Sequence, residues 1–151
     1  MTGDYCEMIK VIERREKDID AMRDLFLNTR VTTFSWNDKS QFNLSDFDKE
    51  TENEYILVAL ADDDLIGFVS VWAADNFIHH LYVDEKFQNR GIGTLLLNAV
   101  LDKFSHQVRL KCDERNKKAI YFYRQKGFLE IETGQSESGT YILFEFNRKT
   151  E

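Results

Sequence analysis

The chain has 151 residues, 42% of them hydrophobic and 31% charged, the balance of one globular domain over 1–151 rather than of a disordered chain or of two domains. Its 27 acidic and 20 basic residues give a formal net charge of −7, which argues against nucleic-acid binding, because phosphate neutralisation needs a basic face. Two cysteines, Cys6 and Cys112, are too few for a disulfide framework and have no metal-ligand spacing around them, so no metal is expected and a reducing cytoplasm is the predicted home.

The segment Met1 to Lys10 is polar and lacks the apolar run of a signal peptide. No stretch reaches the roughly 20 apolar residues of a membrane span. Met8 to Ile12 reads as a first strand. Ile19, Met22, Leu25 and Phe26 recur at three and four residues, which predicts a helix over Lys17 to Arg30 with Asp18 as its cap. Ser45 begins a short second helix. Tyr55 to Ala61 and Leu65 to Ala74 read as a hairpin around the turn Asp62-Asp63-Asp64, and Phe77 to Val83 as the next strand. Gly91 to Phe104 is expected to be helical, Gln107 to Cys112 extended, and Asn116 to Lys126 helical, stopped by Gly127. Phe128 to Ile131 and Tyr141 to Phe146 close the chain as strands. Hairpins with helices inserted between them predict an α/β fold with a mixed, mostly antiparallel sheet.

The stretch from Phe77 to Leu97 takes a strand into a glycine-bearing loop and the loop into a helix. A helix start offers unpaired N–H groups and the positive end of the dipole, which together suit an anion. Gly91 and Gly93 allow a pyrophosphate to approach the main chain, and Gln88, Asn89 and Arg90 add donors. The dinucleotide fingerprint needs more glycines, and the lysine of a P-loop is missing.

Gln88-Asn89-Arg90-Gly91-Ile92-Gly93 resembles the Q/R-x-x-G-x-G/A loop of the GNAT acetyltransferase superfamily. Asn116, Ala119, Phe122, Tyr123, Gly127 and Phe128 match that family's N-x-x-A-x-x-F/L-Y-x-x-x-G-F helix at every fixed position. The resemblance implies the fold of that family and a direct transfer of an acetyl group from acetyl-CoA to an amine. It implies that Leu81, Tyr82 and Val83 form the strand beside the cofactor arm, and that Gln88 to Gly93 with Thr94 hold the pyrophosphate. Asn116 is implied to contact the arm, and Tyr123 to be the acid for the departing thiolate. A non-catalytic acyl-CoA-binding module on the same fold is the alternative.

The general base of such a transfer lies, in several relatives, on the strand before the phosphate loop, where this sequence has His79 and His80. Strand alternation puts His79 in phase with Phe77 and Leu81, and His80 with Ile78 and Tyr82. An imidazole titrates near neutrality, which suits the task; His79 is favoured, His80 second. Phe34, Trp36 and Trp72 are the aromatics expected around a small-molecule amine acceptor, and His106 is read as a solvated helix-end residue. The strand Tyr141 to Phe146 is apolar enough either to pair in a homodimer or to be an inner strand.

Overall fold

The computed structural model describes residues 8–104 and 107–147; Cys6 and His106 lie outside them. In chain order the elements are β1 (Ile9–Glu13), α1 (Ile19–Thr33), α2 (Asp46–Glu50), β2 (Tyr55–Ala61), β3 (Asp64–Trp72), β4 (Phe77–Val83), α3 (Ile92–Lys103), β5 (Gln107–Asp113), α4 (Lys117–Gln125), β6 (Leu129–Ser136) and β7 (Gly139–Asn147). The strands form one seven-stranded sheet in the order β1-β2-β3-β4-β5-β7-β6. Every neighbouring pair is antiparallel except β4 and β5, which run parallel. The expected mixed, mostly antiparallel α/β fold is what forms.

The sheet is the middle of three layers. On one face, Leu57, Val69, Val71, Ile78 and Leu110 pack with Leu96, Leu97 and Val100 of α3 and with Ile120 and Tyr123 of α4. On the other, Ile56, Val58, Leu60 and Phe68 pack with Met22, Leu25 and Phe26 of α1 and Phe47 of α2. This explains why β2 is an unbroken apolar run: alternate residues serve two cores. Phe26 meets Phe47 edge-on at 5.7 Å and Phe68 at 6.4 Å.

Three expectations need correction. Asp18 does not cap α1 with its side chain. Its carboxylate accepts instead from the Arg15 main-chain N–H at 2.9 Å and from the Arg15 guanidinium at 2.9 and 3.0 Å. Helix α1 continues past Arg30 to Thr33, although Val31-Thr32-Thr33 is β-branched; the Thr32 hydroxyl donates back to the Asn28 carbonyl at 2.9 Å and sits within the helix. Strand β6 runs on to Ser136, because Gly139, at φ 126°, turns the chain tightly enough for Ser136 to pair with it. Strand β7 lies between β5 and β6 with both edges paired, so its apolar sequence is that of an inner strand and it offers no edge for a homodimer.

Strand β4 does not alternate regularly. Ser70 pairs with His80 and Val71 with Ile78, so His79 is an extra residue, a β-bulge. Beyond the bulge the phase reverses. Ile78 packs in the same core as Leu81 and Val83, whereas His80 and Tyr82 face Phe26 on α1 at 5.0 and 5.5 Å. The strict alternation that put His80 in phase with Ile78 fails at this residue.

Candidate active site at the β4–β5 opening

Strands β4 and β5 pair at only two positions, Phe77 with Arg109 and Ile78 with Leu110, and then part. Asp84 donates its N–H to the Ile66 carbonyl at 2.7 Å. Ladder bonds repeat at every second residue, so His80 and Tyr82 also direct their main-chain groups to β3. Leu81 and Val83 therefore turn theirs to the gap beside β5. The Val83 carbonyl accepts there from Gln88 Nε2 at 3.0 Å, and Gln88 Oε1 accepts from Lys118 Nζ at 2.7 Å. Gln88 is thus engaged with β4 and α4, and Lys118, a cation that the motif left as a variable position, stands beside the loop.

The loop turns on two left-handed residues, Asn89 at φ 65° and Gly91 at φ 81°. Gly91 caps α3, and Leu95 donates to its carbonyl at 3.0 Å. The N–H groups of Ile92, Gly93 and Thr94 belong to the first turn and have no acceptor within the helix. A Cβ on Gly91 would meet nothing within 4 Å, so this glycine serves conformation and leaves open space before the helix start. A Cβ on Gly93 would lie 3.4 Å from the Phe122 ring, an ordinary contact, so α3 and α4 are neighbours at this residue. Ile92 is buried in that core, and the Arg90 guanidinium lies over the Phe87 ring at 5.1 Å.

Helix α4 approaches the gap from the same face. The Asn116 side chain accepts from the Ala119 N–H at 3.2 Å, capping the helix, which leaves its amide N–H groups for another partner. Tyr123 is buried among Phe122, Phe128 and Phe144, with ring centroids at 5.2, 5.5 and 6.1 Å. Burial pushes its phenol well above the usual tyrosine range, with the Cys112 thiol and the Tyr82 phenol adding to the effect. Cys112 is itself buried, and burial, with Asp113 beside it, pushes its thiol up to about 12.

Across the sheet lies a cavity of about 310 Å³ whose wall includes Arg30, Phe34, Glu50, His79, His80 and Lys111. Both histidines therefore face one space, as the bulge permits. His79 Nδ1 contacts the carboxylate of Glu54, whose side chain is 2% exposed. His80 Nδ1 shares a hydrogen bond of 2.8 Å with the buried Ser70 hydroxyl, and its Nε2 lies 3.6 Å from Glu50. Arg30 is held by Asp46 at 3.1 Å and Glu50 at 3.3 Å. Phe34 forms part of the wall, with Trp36 edge-on behind it at 5.5 Å and Arg115 over the indole at 4.7 Å.

The Trp36 Nε1 is buried and makes no hydrogen bond of regular geometry, the nearby Asp113 carboxylate being its neighbour. Hydrogen bonds from Arg115 hold the neighbouring Asp113 carboxyl below its usual range, with a lesser contribution from Trp36. Trp72 does not join this wall; it ends β3, opposite Phe77, and is 38% exposed. Of the three aromatics expected around an acceptor, Phe34 thus lines this cavity, Trp36 stands behind it and Trp72 lies outside the lining. A second hollow, of about 420 Å³ between α1 and α2, is walled by Arg23 and Asp48, already ion-paired at 2.6 Å.

An open helix start and a strand with main-chain groups turned into a wedge leave room for an extended anionic ligand on one face, with a cavity walled by imidazoles across the sheet. The acetyltransferase (GNAT) family profile matches residues 19–128, and the chain belongs to that family. A curated relative, an uncharacterised N-acetyltransferase of Methanocaldococcus jannaschii, is 41% identical over 59 residues, covering 36% of this chain and 26% of that one. The match thus spans about a quarter of the relative's length. Among solved structures, a GCN5-related N-acetyltransferase of Rhodopseudomonas palustris superposes with a TM-score of 0.78 at 14% identity, over 97% of this chain and 100% of that one. The PaiA N-acetyltransferase of Thermoplasma acidophilum, in complex with coenzyme A, gives 0.72 at 17% identity, over 93% and 99%. At these identities the two structures speak for the fold.

Proposed function

We propose that the protein transfers the acetyl group of acetyl-CoA to the amine of a small molecule. The observation that carries this reading is the main-chain edge where β4 leaves β5, open at Leu81 and at the Val83 N–H, with the Val83 carbonyl held by Gln88. A pantetheine arm has amide groups spaced to pair with such an edge, and the start of α3 then lies where the pyrophosphate would fall. Lys118 and the free amide of Asn116 add donors on the α4 side. That a coenzyme A complex of similar fold exists for the Thermoplasma protein fits this assignment.

The amine enters from the other face. A cavity of about 310 Å³ suits a small acceptor, and Phe34, Glu50 and Arg30 give it apolar and charged walls. His79 accepts the proton that leaves the attacking nitrogen. Main-chain N–H groups along the opening stabilise charge gathering on the carbonyl oxygen. Tyr123, on the α3 and α4 side of the sheet, offers its phenolic hydrogen to the departing sulfur. The opening between the strands is what lets a base on one face and an acid on the other serve one bond.

Thermal unfolding with acetyl-CoA, CoA and ATP tests the donor assignment, since a ligand of the native state raises the midpoint by mass action. Acetyl-CoA and CoA should raise it and ATP should not. Gly91→Glu places a carboxylate in the space before the helix start and should weaken CoA binding by more than about tenfold; Gly91→Ala carries the same left-handed strain without the charge and is the control. Equal affinity in the two variants would remove the loop from the binding site.

A further inference from the structure

Glu54 is a titratable group beside the site that neither family motif covers, and its environment is unusual. It follows Asn53, which is left-handed at φ 63°, and its N–H bonds the Thr51 carbonyl at 3.0 Å. This turn places its carboxylate under β4 with 2% exposure. One oxygen, Oε2, meets His79 Nδ1; the other, Oε1, is buried with no hydrogen-bond partner. A buried, half-satisfied carboxylate costs stability, and a hydrophobic residue at this place in the core would not. We propose that Glu54 is the positioning residue of the base, resting on the reading of His79 as that base: it fixes the imidazole as the Nδ1–H tautomer and leaves Nε2 bare towards the acceptor.

The chemistry follows from which groups can donate. A carboxylate only accepts, so the hydrogen between it and His79 sits on Nδ1. The Nε2 lone pair is then the one available to the amine. As the nitrogen–carbon bond forms, that lone pair takes the ammonium proton, and the imidazolium keeps its Nδ1–H on Glu54. The positive charge appears next to a carboxylate withdrawn from water, where the attraction is stronger than in solvent. The bulge supplies the geometry. Ile78 packs in the α3 core, and the bulge lets His79 as well as His80 line the opposite face, where His79 meets the segment before β2. His80 is held differently: its Nδ1 shares a hydrogen bond with Ser70, a hydroxyl able to donate or accept, and its Nε2 already faces Glu50 at 3.6 Å.

A double-mutant cycle on turnover, with tautomer read by ring nitrogen-15 chemical shifts, tests this. Glu54→Ala should lower kcat about 10- to 100-fold with the KM for acetyl-CoA unchanged, as removal of an orienting partner does elsewhere. His79→Ala should lower it at least as far, and the double variant should match His79→Ala within about twofold, because Glu54 acts only through His79. The nitrogen shifts should show the Nδ1–H form in the wild type and its loss in Glu54→Ala. Multiplicative losses in the double variant, or a Glu54→Ala enzyme within about twofold of wild type, overturn the proposal. A wild-type protein with no turnover on any amine instead refutes the function, while the nitrogen shifts still decide whether Glu54 sets the tautomer.

Discussion

Replacing Tyr123 by phenylalanine removes one oxygen and keeps the ring that packs on Phe122, Phe128 and Phe144. The fold should therefore change by no more than about 1.5 kcal/mol, the worth of one hydrogen bond. The catalytic effect has an upper bound set by acidity. Burial holds the phenol above the usual tyrosine range, whereas a free thiol titrates near 8.5, so complete proton transfer to the thiolate is uphill. What the phenol can give is a hydrogen bond to a sulfur that is becoming negative, worth about 1.5–3 kcal/mol. That corresponds to a fall in kcat of about 10- to 160-fold. The same burial keeps the phenol protonated through neutral pH, so the donor is always present. Single-turnover rates of CoA release, followed with a thiol reagent, isolate the chemical step from product departure. A rate within twofold of wild type would mean that Tyr123 is core packing; a parallel rise in the KM for acetyl-CoA would mean that it binds the ground state.

Two further predictions concern groups around the site. The Asp18 carboxyl is held below its ordinary range chiefly by the Arg15 hydrogen bonds, against the opposing cost of burial. A depressed native value means that its contribution is complete above the unfolded carboxyl range, about pH 4, and fades as the pH falls through the native one. Asp18→Ala should cost about 1–3 kcal/mol at pH 7, and the gap from wild type in denaturant melts should narrow below about pH 4; a constant gap would show that the ion pair is not the source. Cys112, buried and pushed up to about 12, should resist iodoacetamide at pH 8 in the folded state and react on unfolding, with mass spectrometry as the readout; rapid native alkylation there would mean that the β5 core opens.

The elements were legible because each carried its own period. The Met22, Leu25 and Phe26 face, the two-sided run of β2 and the glycine after α4 all specify structure locally. The acceptor side was not legible in the same way. Glu54 belongs to no motif and follows the acidic residues Asp46, Asp48, Glu50 and Glu52, so only the turn at Asn53 shows that its carboxylate goes inward. Trp72 has the composition of a site aromatic, but its strand carries it away from the cavity. Lys118 occupies a variable place in its motif, and its approach to Gln88 depends on how α4 packs against the loop. Asp18 was misread because a carboxylate before a helix has two ways to satisfy neighbours, and Arg15, three residues earlier, takes it.

The bulge at His79 connects these points. A single inserted residue reverses the phase of β4, so Leu81 and Val83 join the α3 core while His80 and Tyr82 face α1. The same residue lies one step beyond the last β4–β5 pair, where the strands separate. Regular alternation would send one of the two histidines into the α3 core, where an imidazole has no partner among Leu96, Leu97 and Val100. With the bulge, both imidazoles reach the cavity, and β4 leaves β5 at the place where its main chain must be free. Deleting His79 should therefore do more than remove an imidazole. It should make the β3–β4 ladder regular, with Ile78 opposite Val71 and His80 still opposite Ser70 on the α1 side, and straighten β4 where it leaves β5, so binding of acetyl-CoA should weaken while His79→Ala retains it. Thermal shifts with acetyl-CoA on the two variants measure the difference, and equal shifts would show that the opening does not depend on the bulge.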